Sequence, residues 1–307
     1  MIDYKYHIAS LVAVFLSLGI GIIIGSTLLG NDALIDYQKQ VTSSLEEQLQ
    51  TLREANEEIQ ASANTLELNA NTHKQFEKQV LPILVAGQLT GKNFAVVQLN
   101  GIGFPPELTD TIQAAGGTVS SIVTVSEIKD EAGIMADLQE TLGLSMAIGD
   151  ELYKILAGEI SQYLAMGDNQ QVIDVFTEKE LFKFEGEYGV FLDGVIIVGG
   201  SYQEEERSLK MDIALIGRFI EQGLLVVGVE ESGVLASSIK EYQLKHISTV
   251  DNIDVVPGQA AMVLVLGGQQ GHFGVKSTAQ QIMPDWPVLA EEAAPALEAD
   301  TTLDTDE

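Results

Sequence analysis

Cysteine is absent from the chain, histidine occurs only four times, and 16 lysines and arginines are outnumbered by 45 aspartates and glutamates. The lack of cysteine excludes thiolate ligands and thiol catalysis, but it says nothing about the compartment. The resulting net charge of -29 disfavours nucleic acid and anionic lipid surfaces as partners, because both attract proteins mainly through Lys and Arg. We therefore expect no nucleic-acid partner and an outer domain that stays dispersed beside anionic polymers.

Metal-binding motifs are also missing from the sequence. The histidines are far apart, HExxH does not occur, and the six methionines outside the amino-terminal segment form no M-x-x-M pattern. Copper(I) prefers thiolate and thioether ligands, and a site for it needs several of them together. Spacing therefore indicates no metal site and no cofactor. The weak candidate is His272, alone or with Met283 brought close by folding.

Two glycine-rich turns have some features of nucleotide-binding or catalytic loops. Residues 100–103 read Asn-Gly-Ile-Gly after a predicted strand, but the third glycine of a Rossmann fingerprint is missing and Pro106 removes a backbone donor. The turn at 199–202 is followed by three glutamates at 204–206, whose charge would repel an anion. Ser201 lacks the G-x-S-x-G elbow. The sequence therefore predicts a protein that is not an enzyme.

The longest feature is an uncharged run of 22 residues from Ile8 to Leu29. At ~1.5 Å per helical residue this run can cross a hydrocarbon core of ~30 Å. Residues 1–30 are therefore predicted to be a retained transmembrane anchor, with a cleaved signal peptide as the alternative. Lys5 precedes the run and Asp32 and Asp36 follow it, which favours a cytoplasmic amino terminus and an extracytoplasmic main domain.

Residues 31–81 are predicted to form a parallel coiled coil. Small residues recur every fourth position in the anchor, and large apolar residues recur every seventh position after it. The opposing heptad row is poor, since it contains Gln48, Ser62 and Asn69, so a helix that packs on its own globular domain is the alternative. The predicted homodimer interface comprises Gly21, Gly25, Leu45, Leu52, Ile59 and Leu66.

Pro82 is predicted to end the helix, and residues 88–285 are predicted to form one α/β domain. Four apolar runs are expected to be strands of a doubly wound, mostly parallel, Rossmann-like sheet, with a long insertion at 130–185. These runs are Phe94 to Leu99, Val119 to Thr124, Val195 to Val198 and Leu224 to Val229. Residues 286–307 are acidic and are predicted to be a disordered tail.

Two segments resemble the MctB family, the mycobacterial copper transport protein B group. They are YKYHIASLVAVFLSLGIGIIIGSTLL at 4–29 and STVDNIDVVPGQAAMVLVLGGQQGHFGVKSTAQQIMP at 248–284. Together with the order of anchor, coiled coil and α/β domain, the similarity covers most of the chain. The family motifs correspond to Asp251-Asn252, Pro257-Gly258-Gln259 and Gly271-His272-Phe273-Gly274-Val275.

The resemblance implies an envelope protein with one membrane helix and a role associated with copper homeostasis, and related actinobacterial members are linked to envelope and division complexes. Two functions follow as hypotheses: a dimeric scaffold that binds another envelope protein, or direct copper binding or transport. From the residues alone, Asp251, Asn252 and Asp254 are predicted to cap a helix that begins near Pro257, with contact to a partner as the alternative.

Overall fold

The computed structural model describes residues 4–286 apart from 100, 102, 127, 129, 144–148 and 204–207. The helices are α1 (Tyr4–Val85), α2 (Pro106–Ala114), α3 (Glu131–Leu142), α4 (Asp150–Met166), α5 (Gln170–Glu178), α6 (Lys210–Glu221), α7 (Ile239–Gln243) and α8 (Val256–Gly267). The strands are β1 (Asn93–Gln98), β2 (Thr118–Val125), β3 (Phe182–Gly186), β4 (Gly194–Val198), β5 (Leu225–Val229), β6 (Ser248–Val250) and β7 (His272–Phe273). The predicted tail beyond Trp286 and the glutamates at 204–206 lie outside the described residues.

The seven strands form one sheet in the order β3-β2-β1-β4-β5-β6-β7. All neighbouring pairs are parallel except β2 and β3, which are antiparallel. The central strands are continuous apolar runs because helices cover both of their faces, and every residue of β4 is buried. The predicted mostly parallel sheet is confirmed.

Alternate residues of β1 point into two separate cores. Ala95 and Val97 pack with the helices α3 to α6 on one face, whereas Phe94 and Val96 pack with α2, α8 and the end of α1 on the other. Helix α8 is apolar on all sides, and its residues 260–266 are buried. Helices on both faces make the sheet doubly wound. They cover the faces of the sheet but not the ends of its strands.

The predicted helix end at Pro82 is wrong by about one turn. Helix α1 passes through Pro82 and ends at Val85, before Gly87 adopts a φ of 76°. An internal proline removes one helical hydrogen bond, but Leu81 and Val85 are both buried in the core of the α/β domain. Their packing explains why the last turn stays helical.

Among the described residues, the insertion between β2 and β4 contributes three helices, one of which, α4, lies where helical patterning was predicted around Leu144 to Met166. It also contributes an edge strand that the sequence patterns did not reveal. Strand β3 is short and mostly exposed on its outer side, so it lacks the apolar run that identified the other strands. Phe184 packs against Tyr163 and Tyr188, with ring centroids 5.4 and 5.9 Å away. This aromatic cluster holds β3 against α4 as the antiparallel edge of the sheet.

The chain divides into two units, Met1–Lys74 and Gln75–Glu307. In the first unit, Tyr4–Thr27 is 24 residues long with a mean hydropathy of 2.5 and is not buried by the rest of the chain. By length and composition this segment is able to cross a membrane, as the sequence predicted. The second unit contains the whole sheet.

Candidate functional site at the carboxyl edge of the sheet

The loops after β4, β5, β6 and β7 meet at the carboxyl edge of the sheet, where open α/β folds usually bind their ligands. Ser201 exchanges backbone hydrogen bonds of 2.8 to 3.0 Å with Leu235 and Ala236. Ser232 binds Asp254 through its amide at 2.7 Å and its hydroxyl at 2.6 Å. These contacts join the loops 199–203, 230–238 and 251–255. We call these three loops, together with residues 274–276, the carboxyl-edge site.

An ion pair between a buried carboxylate and a partly buried lysine lies at the centre of this site. Glu230 directly follows β5 and is fully buried, and its Oε1 lies 2.5 Å from Lys276 Nζ. The carboxylate also accepts hydrogen bonds from the Ser237 hydroxyl at 2.6 Å and the Ser238 amide at 2.9 Å. A carboxylate that has lost its hydration on burial needs such ionic and hydrogen-bonding partners. The pair therefore fixes the loop after β7 against the loop after β5.

Asp251 fixes the same loop from the end of β6. Its buried carboxylate accepts hydrogen bonds from the amides of Val275 at 2.7 Å and Lys276 at 3.2 to 3.3 Å. Gly274 has a φ of 139°, and a Cβ there would collide with this carboxylate. The glycine is thus required by both its backbone conformation and the close approach of Asp251.

The predicted capping of α8 by Asp251, Asn252 and Asp254 is wrong. The N-cap position is Val255, and no side chain caps the helix. Asp251 and Asp254 instead bind the neighbouring loops described above. Since Pro257 carries no amide hydrogen, the first turn of α8 has one donor fewer to be capped.

Asn252 is fully buried, and neither its Oδ1 nor its Nδ2 has a hydrogen-bond partner among the described residues. The residue lies against Gly258 in the first turn of α8, where a Cβ would collide with the Asn252 backbone oxygen. Gln259 donates from Nε2 to the Ile253 oxygen at 3.3 Å. The family motifs at 251–252 and 257–259 thus form one tightly packed junction between β6 and α8.

Each loop of the carboxyl-edge site carries one exposed apolar side chain, and acidic groups lie on the same loops. Tyr202, Leu235, Val255 and Val275, one from each loop, are 44%, 64%, 40% and 61% exposed. The Tyr202 hydroxyl donates to Glu231, and this hydrogen bond, followed by burial, raises the pKa of Tyr202 to about 12. Four exposed apolar side chains are thus carried by loops that are fixed to one another, and exposed side chains of this kind can contact another molecule.

The glycines at the end of β4 have a packing explanation. A Cβ at Gly199, or at Gly228 in β5, would collide with the buried Tyr242 ring, and the Tyr242 hydroxyl donates to buried Asp212. The Gly200 amide donates to the Ser238 hydroxyl at 3.0 Å. This turn therefore packs on protein side chains and gives no support to a phosphate-binding role.

The other glycine-rich loop leads into α2, whose N-cap is Pro105 and whose first residue is Pro106. Neither proline has an amide hydrogen, so the start of this helix offers few hydrogen-bond donors to an anion. Gly101 and Gly103 have φ values of 70° and 113°. Asn100 and Ile102 lie outside the described residues.

His272, the weak metal candidate, is partly buried in β7. Its Nδ1 lies 3.1 Å from the Thr249 hydroxyl, and burial lowers the pKa of its imidazole. Among the described residues, no group of three His, Cys, Asp or Glu side chains is placed to hold a metal ion. Met283 packs on the core that contains α8. No contact that the structure describes links Met283 to His272.

The residues predicted for a homodimer interface all lie on α1. Within the single chain nothing lies within 4 Å of the position a Cβ would take at Gly21 or Gly25. The apolar side chains of the heptad row are each more than half exposed; they are Leu45, Leu52, Ile59 and Leu66. The row is therefore available for contact with another helix.

Sequence reasoning missed most of the carboxyl-edge site. Glu230 is a charged residue directly after a buried strand, a position that could have identified it. Lys276 is 46 residues further along the chain, and Tyr202 and Leu235 are single residues in irregular loops. None of these three has a sequence signal of its own.

The fold and its long apolar helix define a class of proteins in which one candidate membrane-spanning segment precedes an α/β domain. Residues 1–284 match the family model described as copper transport outer membrane protein, MctB, and the chain belongs to this family. It is 22% identical to the copper transporter MctB of Mycobacterium tuberculosis strain H37Rv and of Mycobacterium bovis, over 92% of this chain and 99% of each relative. The corresponding protein of Mycobacterium leprae is 24% identical, over 92% of this chain and 99% of the relative.

Proposed function

We propose that this MctB-family protein is a membrane-anchored, non-enzymatic recognition module whose carboxyl-edge site binds another envelope protein. The observation that carries the proposal is the exposed apolar surface of Tyr202, Leu235, Val255 and Val275. Large contiguous apolar surfaces on soluble domains are typical of interaction sites. The loops beneath this surface are fixed by buried ionic contacts, so little ordering would be needed on binding.

The charge of the site indicates the chemistry of the partner. Glu231 and Asp254 lie beside the apolar side chains, and the whole chain has a net charge of -29. A partner segment that presents Lys or Arg among apolar side chains would complement both features. This reasoning favours a basic protein segment over an acidic one.

The anchor would hold this module outside the membrane. The apolar segment Tyr4–Thr27 is long enough to span a bilayer, and the charges flanking it favour a cytoplasmic amino terminus. A reporter enzyme fused after Ala290 that requires export should therefore be active. A reporter that works only in the cytoplasm should be inactive at the same position.

We further propose that the protein is a parallel homodimer. The exposed heptad row from Leu45 to Leu66 would pair with the same row of a second chain. Two copies anchored in one bilayer leave the membrane on the same side, so their helices must run parallel. Dimerisation would present two carboxyl-edge sites to a partner and increase its apparent affinity.

Copper binding or transport is the alternative, because the family and the curated relatives are named for copper transport. The ligands available outside the anchor are three histidines and six methionines. Soft copper(I) would need several of them to converge. A role in copper homeostasis through protein partners fits the carboxyl-edge site better than direct ligation does.

Site-specific photo-crosslinking in the full-length chain tests the recognition module. A benzophenone amino acid at Leu235 should give a discrete adduct with one envelope protein, and Val275→Asp in the same chain should abolish it. The matched control is Leu244, which is exposed to a similar degree after α7. The proposal fails if Leu235 gives no adduct, or if both positions give the same set of products.

A further inference from the structure

A groove of about 670 Å³ lies between α4 and α6, on the helical face that covers the first core. Its apolar floor is formed by Leu209, Ile213 and Ala214. Its volume is within the range of sites for small organic ligands, which is ~300 to 1,000 Å³. No residue of the carboxyl-edge surface lines this groove.

Basic residues are concentrated around the floor. Lys154, Lys210, Arg218 and Lys245 all line the groove, although the whole chain has only 16 lysines and arginines. One quarter of its basic residues therefore surrounds one cavity of a strongly acidic protein. Such a concentration of positive charge favours an anionic ligand.

Asp150 and Glu221 also line the groove, and Lys210 is paired with Glu131 at 3.5 Å and with Asp150 at 3.9 Å. The other basic groups are not held firmly by acidic neighbours. Arg218 pairs with Glu221 at 3.0 Å and Lys154 with Glu151 at 3.4 Å, but in both pairs the two side chains are about half exposed or more. Exposed ion pairs of this kind contribute little free energy, so an incoming anion can replace them. Lys245 has no ion pair among the described residues.

A glycine inside α6 gives a second and independent indication. Gly217 lines the groove, and nothing lies within 4 Å of the position that a Cβ would take there. Glycine in a helix interior is less favourable than alanine. No close packing and no positive φ requires it. Its effect is to keep the groove open beside Arg218.

We propose that this groove binds a small anionic amphiphile, with a phosphate or carboxylate head at Arg218 and Lys154 and an alkyl or aryl group on Leu209, Ile213 and Ala214. Arg218 extends over Gly158 of α4, where its Nη2 lies 3.5 Å from the position of a Cβ. The guanidinium is therefore placed between the two helices, and its planar donors suit a phosphate or carboxylate. The ligand is either a soluble organic anion or the head and upper chain of an anionic lipid.

Calorimetric titration of the full chain in phosphatidylcholine nanodiscs tests this site. Hexyl phosphate should saturate one site per chain, whereas inorganic phosphate and 1-hexanol, which carry the head or the chain alone, should bind at least tenfold more weakly. Gly217→Leu should fill the groove and weaken hexyl phosphate binding at least tenfold. Arg218→Gln and Lys154→Gln should do the same without adding volume, so the test remains valid if the leucine variant does not fold. The matched control Lys183→Gln, an exposed lysine of β3, should bind normally.

Nanodiscs that contain phosphatidylglycerol distinguish the two ligand sources. Loss of hexyl phosphate binding in these discs would identify an anionic lipid, and unchanged binding would identify a soluble anion. Binding that is unaffected by Gly217→Leu and Arg218→Gln, or hexanol binding as tight as that of hexyl phosphate, would overturn the proposal. The carboxyl-edge crosslink is independent of both results.

Discussion

At the scale of single residues, the loops of the carboxyl-edge site are held together by two buried carboxylates, each of which binds a neighbouring loop. Glu230 and Asp251 are both buried, and both bind the segment that begins at Gly274, one through Lys276 Nζ and the other through backbone amides. Three loops that are distant in sequence are thereby fixed to one another. The exposed apolar side chains on these loops are therefore held in fixed positions.

Replacing Lys276 with methionine should destabilise the outer domain by about 3–5 kcal/mol, because Glu230 would remain buried without its partner. Urea unfolding of the chain without residues 1–33 measures this change. The control Lys183→Met breaks an exposed pair with Glu185 and should change stability by ~1 kcal/mol or less. The double variant Lys276→Met with Glu230→Gln should recover part of the loss. Equal effects of Lys276→Met and Lys183→Met would contradict this account of the site.

Sequence motifs identified some residues of this site but not their contacts. Asp251 and Asn252 were recognisable as a family motif, yet local capping rules assigned them to α8. In the structure Asp251 binds a loop 24 residues away. Local rules cannot foresee such a partner, because a nonlocal contact replaces the local one when the fold brings its donors closer.

At the scale of elements, β1, β4 and β5 were predictable because each is a run of apolar residues that is almost wholly buried. Strand β2 was recognisable from its apolar residues, although buried and partly buried residues alternate along it. Strands β3, β6 and β7 were not, since they are short or mostly exposed and carry no such run. The extra turn of α1 after Pro82 depends on the burial of Leu81 and Val85. Burial by distant elements overrode the local effect of the proline.

Two glycine substitutions should have opposite effects on helix stability. Gly258→Ala would force a Cβ against the Asn252 backbone and should destabilise the domain by about 1–3 kcal/mol through overpacking. Gly217→Ala, with open space around it, should stabilise the domain by ~0.5 to 1 kcal/mol through helix propensity. Thermal unfolding compares the two variants. Similar shifts in the same direction would refute the packing described for the start of α8.

Changing Leu45, Leu52, Ile59 and Leu66 together to serine should dissociate the proposed homodimer and leave the α/β domain folded. Each buried leucine in such a seam contributes a few kcal/mol, roughly 2–5 for truncation to alanine. Sedimentation of the chain without residues 1–33 gives the oligomeric state. The control changes Gln50, Glu57 and Asn64, on the opposite side of the heptad, to alanine and should leave the dimer intact. An unmodified chain that is monomeric at high micromolar concentration would rule out this homodimer.

At the scale of the whole molecule, an apolar segment begins a long helix, and an α/β domain follows it. The matched residues 1–284 extend from the apolar segment through the carboxyl-edge site. The order of these parts was predictable from hydropathy and heptad spacing. The pairing of distant loops was not, because it depends on the completed sheet.

The positions of the methionine and histidine side chains in the α/β domain decide between the two proposed functions, protein recognition and copper binding. Buried Met135 and Met211 lie in the core on one face of the sheet, and buried Met262 lies in the core on the other. His272 already contacts Thr249 through Nδ1. These residues cannot converge on one ion without rearranging the sheet.

Competition for copper(I) between residues 75–286 and a strong chelator tests most directly whether the outer domain acts by recognition instead of metal ligation. We predict that the chelator retains the copper and that metal analysis finds no stoichiometric complex, because the buried methionines Met135 and Met211 lie on the opposite face of the sheet from Met262. His272→Ala should then leave the result unchanged. A one-to-one complex that survives the chelator and disappears in His272→Ala would contradict the account and establish a copper site in β7.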